Sequence, residues 1–227
     1  KGGENFGNGS VARHILRLAL PMTLAQFINV LYNIIDRVYI GRIPDVATLA
    51  MGGLGLCLPL ISIIIAFANL FGMGGAPLCS IARGQGKNQE AEEIMANSFI
   101  LLVIFGIILM VIGFGFKEDL LWLFGASKKT LSYANEYMSI YLLGTVFVLI
   151  GLGMNSFINS QGFAKIGMLT VLIGAVVNII LDPIFIFSFK LGVQGAALAT
   201  IISQFISAFW TLYFLTGNKT ILKLKRK

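Results

Sequence analysis

Residues 176 to 187 read VVNIILDPIFIF. The stretch lies in an apolar run, about Met168 to Phe189, long enough to cross a bilayer. It nevertheless carries an amide, Asn178, and a carboxylate, Asp182. A helix puts residues i and i+4 on one face, so the two polar groups point the same way. Pro183 follows at once and removes a backbone donor from the helix ladder. A carboxylate at membrane depth costs about 2.5–3.5 kcal/mol on insertion scales. A bound cation would offset that cost, and moving the cation would then be the protein's work.

The rest of the chain agrees with a membrane setting. Of 227 residues, 57% are hydrophobic and 12% charged. A soluble domain carries about 25% charged residues, so lipid must cover much of this surface. The net charge of +7 is not a nucleic-acid footprint, because the basic residues lie in loops and the C-terminal tail rather than on one helix face. No nucleic-acid partner is expected. Cys57 and Cys79 fall in apolar runs and read as small buried hydrophobes. A single histidine rules out a His-based metal site. The chain begins with the polar, glycine-rich KGGENFGNGS rather than Met, with no cleavable signal peptide, so a processed or trimmed chain is the expectation.

Working outward, six apolar runs emerge, at about 15–40, 47–79, 94–116, 133–157, 168–189 and 196–215. The first reaches about 39 Å at 1.5 Å per residue, enough to span with some tilt. Pro21 in its second turn can kink it. The second is rich in Gly and carries Pro59 and Pro77, a composition that lets helices approach closely. The polar segments ARGQGKNQEAEE (82–93) and KEDLLWLFGASKK (117–129) read as loops, the latter with Trp122 as an interfacial anchor. Lys190, Gly192 and Gly195 read as a tight turn. The expected organisation is a flexible cytoplasmic N-terminus (1–12), a six-helix transmembrane lobe (13–217), and a basic cytoplasmic tail or the start of a loop between lobes (218–227).

Six spans put both termini on one side. Eleven of the 17 basic residues fall on that side: Lys1, Arg13, Arg17, Arg83, Lys87, Lys165, Lys219, Lys223, Lys225, Arg226 and Lys227. The opposite loops hold five, Arg42, Lys117, Lys128, Lys129 and Lys190, and Arg37 lies within the first span. The positive-inside rule makes both termini cytoplasmic. Asp36 and Asp182 are the acidic residues inside spans. Asp36 lies roughly 6 Å below the outer end of the first span, Asp182 roughly 10 Å below that of the fifth, and Thr200 roughly 12 Å into the sixth. Asn178 is one turn deeper than Asp182. Two carboxylates, an amide oxygen and a hydroxyl are hard donors that suit a small hard cation such as Na+. They also suit a proton shared between two acids.

Blander readings stand beside these. Asn178 and Asp182 can satisfy each other and nearby backbone, and Asp36 can reach headgroups from near its helix end. Arg37 does not rescue Asp36, because neighbouring residues do not face each other on a helix. Tyr32 lies one turn before Asp36 on the same face, with Asn29 and Asn33 nearby. Asn155 and Asn159 form another i, i+4 pair. Hydrogen bonds between helices are the commoner explanation of such residues. GMGGAP (72–77) lacks the Lys-Ser/Thr of a phosphate loop and reads as close helix packing.

Four stretches, LALPMTLAQFINVLYNIIDRVYIG, IARGQGKNQEAEE, VVNIILDPIFIF and LGVQGAALATIISQ, in this order and spacing, carry a family likeness. The chain resembles the N-terminal half of multidrug and toxic compound extrusion (MATE) transporters, in their DinF-like branch, over about residues 11–219. The resemblance implies an all-α membrane protein, one six-helix lobe of a twelve-helix transporter. It implies alternating-access antiport of H+ or Na+ against amphipathic, often cationic, small molecules at the cell membrane, with no other cofactor. Asp36, Asn178, Asp182 and Thr200 match the N-lobe cation site. Tyr32 and Asn155 match positions facing the substrate cavity, and Pro21 matches the proline where the first span bends. Family members have two lobes, so this chain is expected to be a fragment, a lobe expressed alone, or one of two copies that pair. Two alternatives are a lipid-linked-oligosaccharide flippase of the same superfamily and a membrane assembly subunit without transport. The flippase reading calls for a large cationic cavity, and no Lys or Arg cluster lies inside the spans. An enzyme is not expected, since no His pair, nucleophile–base pair or metal cluster is visible.

Overall fold

A computed structural model of the chain describes residues 10–224. Lys1, Lys225, Arg226 and Lys227, counted above for orientation, lie outside the described residues, as does most of the expected N-terminal segment. All regular structure among the described residues is helical: α1 (Val11–Ile40), α2 (Ala47–Gly84), α3 (Asn88–Leu123), α4 (Lys128–Leu143), α5 (Thr145–Ser160), α6 (Ala164–Pro183) and α7 (Gly192–Thr216). A π-helical turn, Ile184–Ser188, continues α6. Five helices are long and apolar enough to cross a membrane. The bent pair α4 and α5 makes a sixth. The bundle therefore has six apolar crossings in one lobe.

The helices run further than the apolar runs. α2 continues through the polar residues to Gly84 and α3 begins at Asn88, so most of the segment 82–93 is helical rather than loop. Likewise α3 extends through Lys117 to Leu123, which puts Trp122 in its last turn instead of a connection. A helix needs backbone partners more than apolar side chains, and water satisfies its polar ends once it leaves the bilayer. The remaining turns are short. Gly86 and Gly125 follow their helices with φ of 79° and 95°, the left-handed conformation that glycine adopts without steric penalty.

Packing depends on small residues. Gly72 of α2 lies so close to Gly153 of α5 that a β-carbon at Gly72 would come within 2.7 Å of the Gly153 backbone. The two helices cross there with nothing between their backbones. Gly144 marks the 59° bend between α4 and α5. Ile201 of α7 fills the space a side chain at Gly144 would need, with its Cγ1 2.7 Å from the place of a β-carbon. The apolar run expected over about 133–157 is therefore bent within its length. The thiols of Cys57 and Cys79 are free, buried, and donate to carbonyls, Cys57 to Gly53 and Cys79 to Ala91.

α1 is the outlying helix. It packs chiefly along α6, and of its own residues only Pro21, Ala25 and Ile40 are buried. Leu16, Leu20, Phe27, Ile34 and Val38 are exposed, a face suited to lipid. The helix is continuous through Pro21 from Val11 to Ile40. Tyr39 closes its end edge-on against Phe187 of the π-turn, with ring centroids 6.4 Å apart.

The segment after α7 does not hang free as a tail. The Gln161 side-chain oxygen accepts hydrogen bonds from the Thr220 hydroxyl (2.8 Å) and from the backbone N–H groups of Ile221 (3.1 Å) and Leu222 (2.8 Å). Leu222 is buried, and the Lys223 N–H donates to Glu92 at 3.0 Å. One amide and one carboxylate thus strap residues 220–223 across the base of the lobe.

Candidate functional site

α6 presents Asn178 and Asp182 on one face, both buried. The Asn178 amide donates to Asp182 Oδ1 at 3.3 Å and reaches across to Thr200 Oγ1 of α7 at 3.5 Å. Thr200 spends its own proton on the Ala196 carbonyl, 3.0 Å away, so its lone pairs are left to face Asn178. From α1, the Asp36 carboxyl comes within direct interaction range of Asp182. The structure therefore brings Asp36, Asn178, Asp182 and Thr200 together from three helices.

The polar atoms left over are informative. Asp36 Oδ1, Asp182 Oδ2 and Asn178 Oδ1 are all buried, and none has a hydrogen-bond donor. All three are acceptors. A buried acceptor without a partner costs about 1–3 kcal/mol, more when charged. Asn178 and Asp182 satisfy each other only in part, because their bond uses one oxygen and one N–H. A cation answers all three needs at once, whereas a proton between the two acids answers those of the carboxylates. Among the described residues no group of three or more His, Cys, Asp or Glu is placed to hold a metal ion, and the unpartnered atoms at this site are all oxygens.

A second layer of phenols closes the site. Tyr32, one turn before Asp36, interacts with both Asp36 and Asp182. Tyr137 of α4 is buried, with its hydroxyl near Thr200 and within electrostatic range of Asp36. Its ring stacks on Tyr141, centroids 6.0 Å apart, and Tyr141 lies within electrostatic range of Tyr32. Tyr137 and Tyr141 went unnoticed in the sequence. Their signal was the i, i+4, i+8 stripe Tyr133, Tyr137, Tyr141 along α4, which reads equally as ordinary packing.

The other expected site residues lie apart. Asn155 donates to the Gly167 carbonyl at 3.3 Å, tying α5 to α6. Gly167 lies about 22 Å along α6 from Asp182, so Asn155 does not join the carboxylates. Asn159 abuts the same glycine. Pro21 is buried against the lobe about 22 Å along α1 from Asp36.

Known proteins share this arrangement of helices. Residues 21–184 match the MatE family model. Over 217 residues the chain is 32% identical to the multidrug export protein MepA of Staphylococcus haemolyticus, covering 95% of this chain and 48% of that protein. It superposes on a MOP superfamily transporter from Pyrococcus furiosus with a TM-score of 0.89 at 27% identity, covering 96% of this chain and 48% of the other. An outward-facing multidrug resistance MATE family transporter gives the same score, identity and coverage. The chain spans about half the length of the curated relatives it matches.

Proposed function

The chain belongs to the MatE family, and on that premise we propose that it is the cation-coupling lobe of a multidrug exporter that exchanges H+ or Na+ for amphipathic, often cationic, small molecules. The observation that carries this reading is the set of three buried, donorless oxygens on Asp36, Asn178 and Asp182. Neutralising the acid pair would weaken its hold on a cationic compound. It would bias the lobe between two states only as far as the ion's affinity differs between them. The outer face of the site is Thr200 and the phenols of Tyr32 and Tyr137, which can orient a proton or complete a shell of oxygens. Tyr32 and Asn155 are proposed to contact substrate, and Pro21 to let α1 bend.

A second six-helix lobe, in the same parent chain or as a second copy, would supply the opposite wall of the transport path. The charge asymmetry supports termini on the cytoplasmic side of the plasma membrane. Asp182→Asn should abolish ion-coupled efflux while leaving the protein inserted. It should also remove any Na+- or pH-dependent gain in thermal stability of the purified chain. Efflux of ethidium at the wild-type rate by this variant, under separately imposed Na+ and pH gradients, would refute the mechanism. A membrane assembly subunit predicts no ion-dependent stabilisation at all.

A further inference from the structure

Three buried oxygens away from the carboxylates have no hydrogen-bond partner among the described residues: Asn155 Oδ1 and Asn159 Oδ1 of α5, and Thr211 Oγ1 of α7. The helix register brings them to one level. Gly144 lies against Ile201 and Gly151 against Ala208, so α5 and α7 run side by side in the same direction. Four residues on from Gly151, Asn155 is level with about position 212. α6 runs the opposite way, with Asn178 on Thr200 and Ser207 on the Thr170 carbonyl. Three residues before Thr170, Gly167 is level with about position 210. Thr211 is therefore within about one residue of both, roughly 1.5 Å of rise.

The side chains also converge in rotation. Ser207 faces α6 and Ala208 faces α5. At about 100° per residue, Thr211 points between those two directions. Asn155 donates to the Gly167 carbonyl at 3.3 Å. Asn159, one turn further on the same face, rests on the same residue, where a β-carbon would overlap its Oδ1. Gly167 thus leaves space at the junction of α5, α6 and α7 that any other residue would fill.

The chemistry of the three atoms selects the ligand. The amide oxygens of Asn155 and Asn159 can only accept. The hydroxyls of Thr170, Thr200 and Thr216 return their protons to the carbonyl four residues back on their own helices. Thr211, fully buried, does not, so its hydroxyl is free to donate. A ligand here must supply two hydrogens and accept one. A metal ion would leave the Thr211 proton without an acceptor, and an anion would face two amide oxygens. Water meets all three needs, and three hydrogen bonds are what a buried water typically makes.

We propose that a water molecule is bound between α5, α6 and α7, donating to Asn155 Oδ1 and Asn159 Oδ1 and accepting from the Thr211 hydroxyl. It joins α7 to the clasp between Asn155 and Gly167 by a molecule that can leave, rather than by a direct bond.

The test uses the full chain in nanodiscs, with asparagine side chains labelled with 15N, and magnetisation transfer from water to the carboxamide protons. The resonances are assigned from those missing in Asn155→Ala and Asn159→Ala. Both carboxamides should show cross-peaks to water whose sign in the rotating frame marks dipolar contact rather than proton exchange. Thr211→Ser keeps the hydroxyl and should keep the cross-peaks. Thr211→Val keeps the shape without the hydroxyl and should weaken them about threefold or more, the worth of one hydrogen bond in occupancy. Undiminished cross-peaks in Thr211→Val would overturn the site, as would their absence from the wild-type chain. Their loss on adding Na+ would make a cation the ligand and overturn the assignment to water. If Thr211→Val fails to fold, the wild-type chain decides by itself.

Discussion

Replacing Gly72 with alanine adds one methyl group where the backbones of two helices touch. The new β-carbon would lie 2.7 Å from both the α-carbon and the carbonyl oxygen of Gly153, and 3.0 Å from the carbonyl carbon. Ordinary contact between such atoms is about 3.5–4.0 Å, so α2 and α5 must part by about 1 Å. All the opposing atoms are backbone, so no side chain can swing away. Overpacking of this kind costs about 1–3 kcal/mol. The helix itself gains about 0.5–1 kcal/mol when Gly becomes Ala. Parting the helices also loosens Leu102, which fills the other side of Gly153, so the net loss is about 1–2 kcal/mol. Gly74, half a turn away, is the internal control. A β-carbon there meets nothing within 4 Å. Gly74→Ala should therefore stabilise by about 0.5–1 kcal/mol. The two variants differ by about 2 kcal/mol, roughly thirtyfold in the unfolding equilibrium. Unfolding in mixed micelles, followed by the fluorescence of Trp122 and Trp210, measures the difference. The reasoning fails if Gly72→Ala is at least as stable as the parent, or if both variants shift in the same direction by the same amount.

Two other outcomes follow from the geometry. Tyr137→Phe keeps the ring stacked on Tyr141 but loses the hydroxyl beside Thr200 and Asp36. Stability should change by less than about 1 kcal/mol, while the cation concentration for half-maximal thermal stabilisation rises about two- to tenfold, the worth of one hydrogen bond. Gln161→Leu leaves the buried Leu222 N–H without its acceptor, a loss of about 1–3 kcal/mol that should stay local. Hydrogen exchange should speed up at Ile221 and Leu222 and remain unchanged in α6; a uniform acceleration through the lobe would contradict the strap.

Much of this architecture was legible because a bilayer punishes polar atoms so heavily. Apolar runs located the crossings, and depth along the spans put Asp36, Asn178, Asp182 and Thr200 within about two turns of one another. What hydropathy could not show was geometry inside a run. The 59° bend at Gly144 is apolar on both sides, and it depends on Ile201, 57 positions away, filling the gap. Tyr137 and Tyr141 were hidden for a related reason. A phenol on an apolar face is consistent with packing, and only the packing of α4 against α7 brings it near the site. The bond from the Asn155 side chain to the Gly167 carbonyl of α6 was hidden too, because a single chain's pattern does not reveal which helix lies opposite. The helix ends were misplaced because hydropathy reports where lipid stops, not where backbone hydrogen bonding stops.

The π-turn after Pro183 bears on how this segment tolerates changes in length. A wide turn of this kind holds about one residue more than an α-helical turn. Phe189 N–H already closes onto the Ile184 carbonyl, five residues back. Deleting one residue from 184–188 would let the turn close as ordinary α-helix. Asn178 and Asp182, upstream, would keep their orientation, and the slack would be taken up before α7. Gly195, whose missing side chain lets it rest on the Phe185 backbone, would be the first position to feel the shift. Single-residue insertions and deletions among homologous sequences should therefore collect between Ile184 and Lys190 rather than between Asn178 and Asp182.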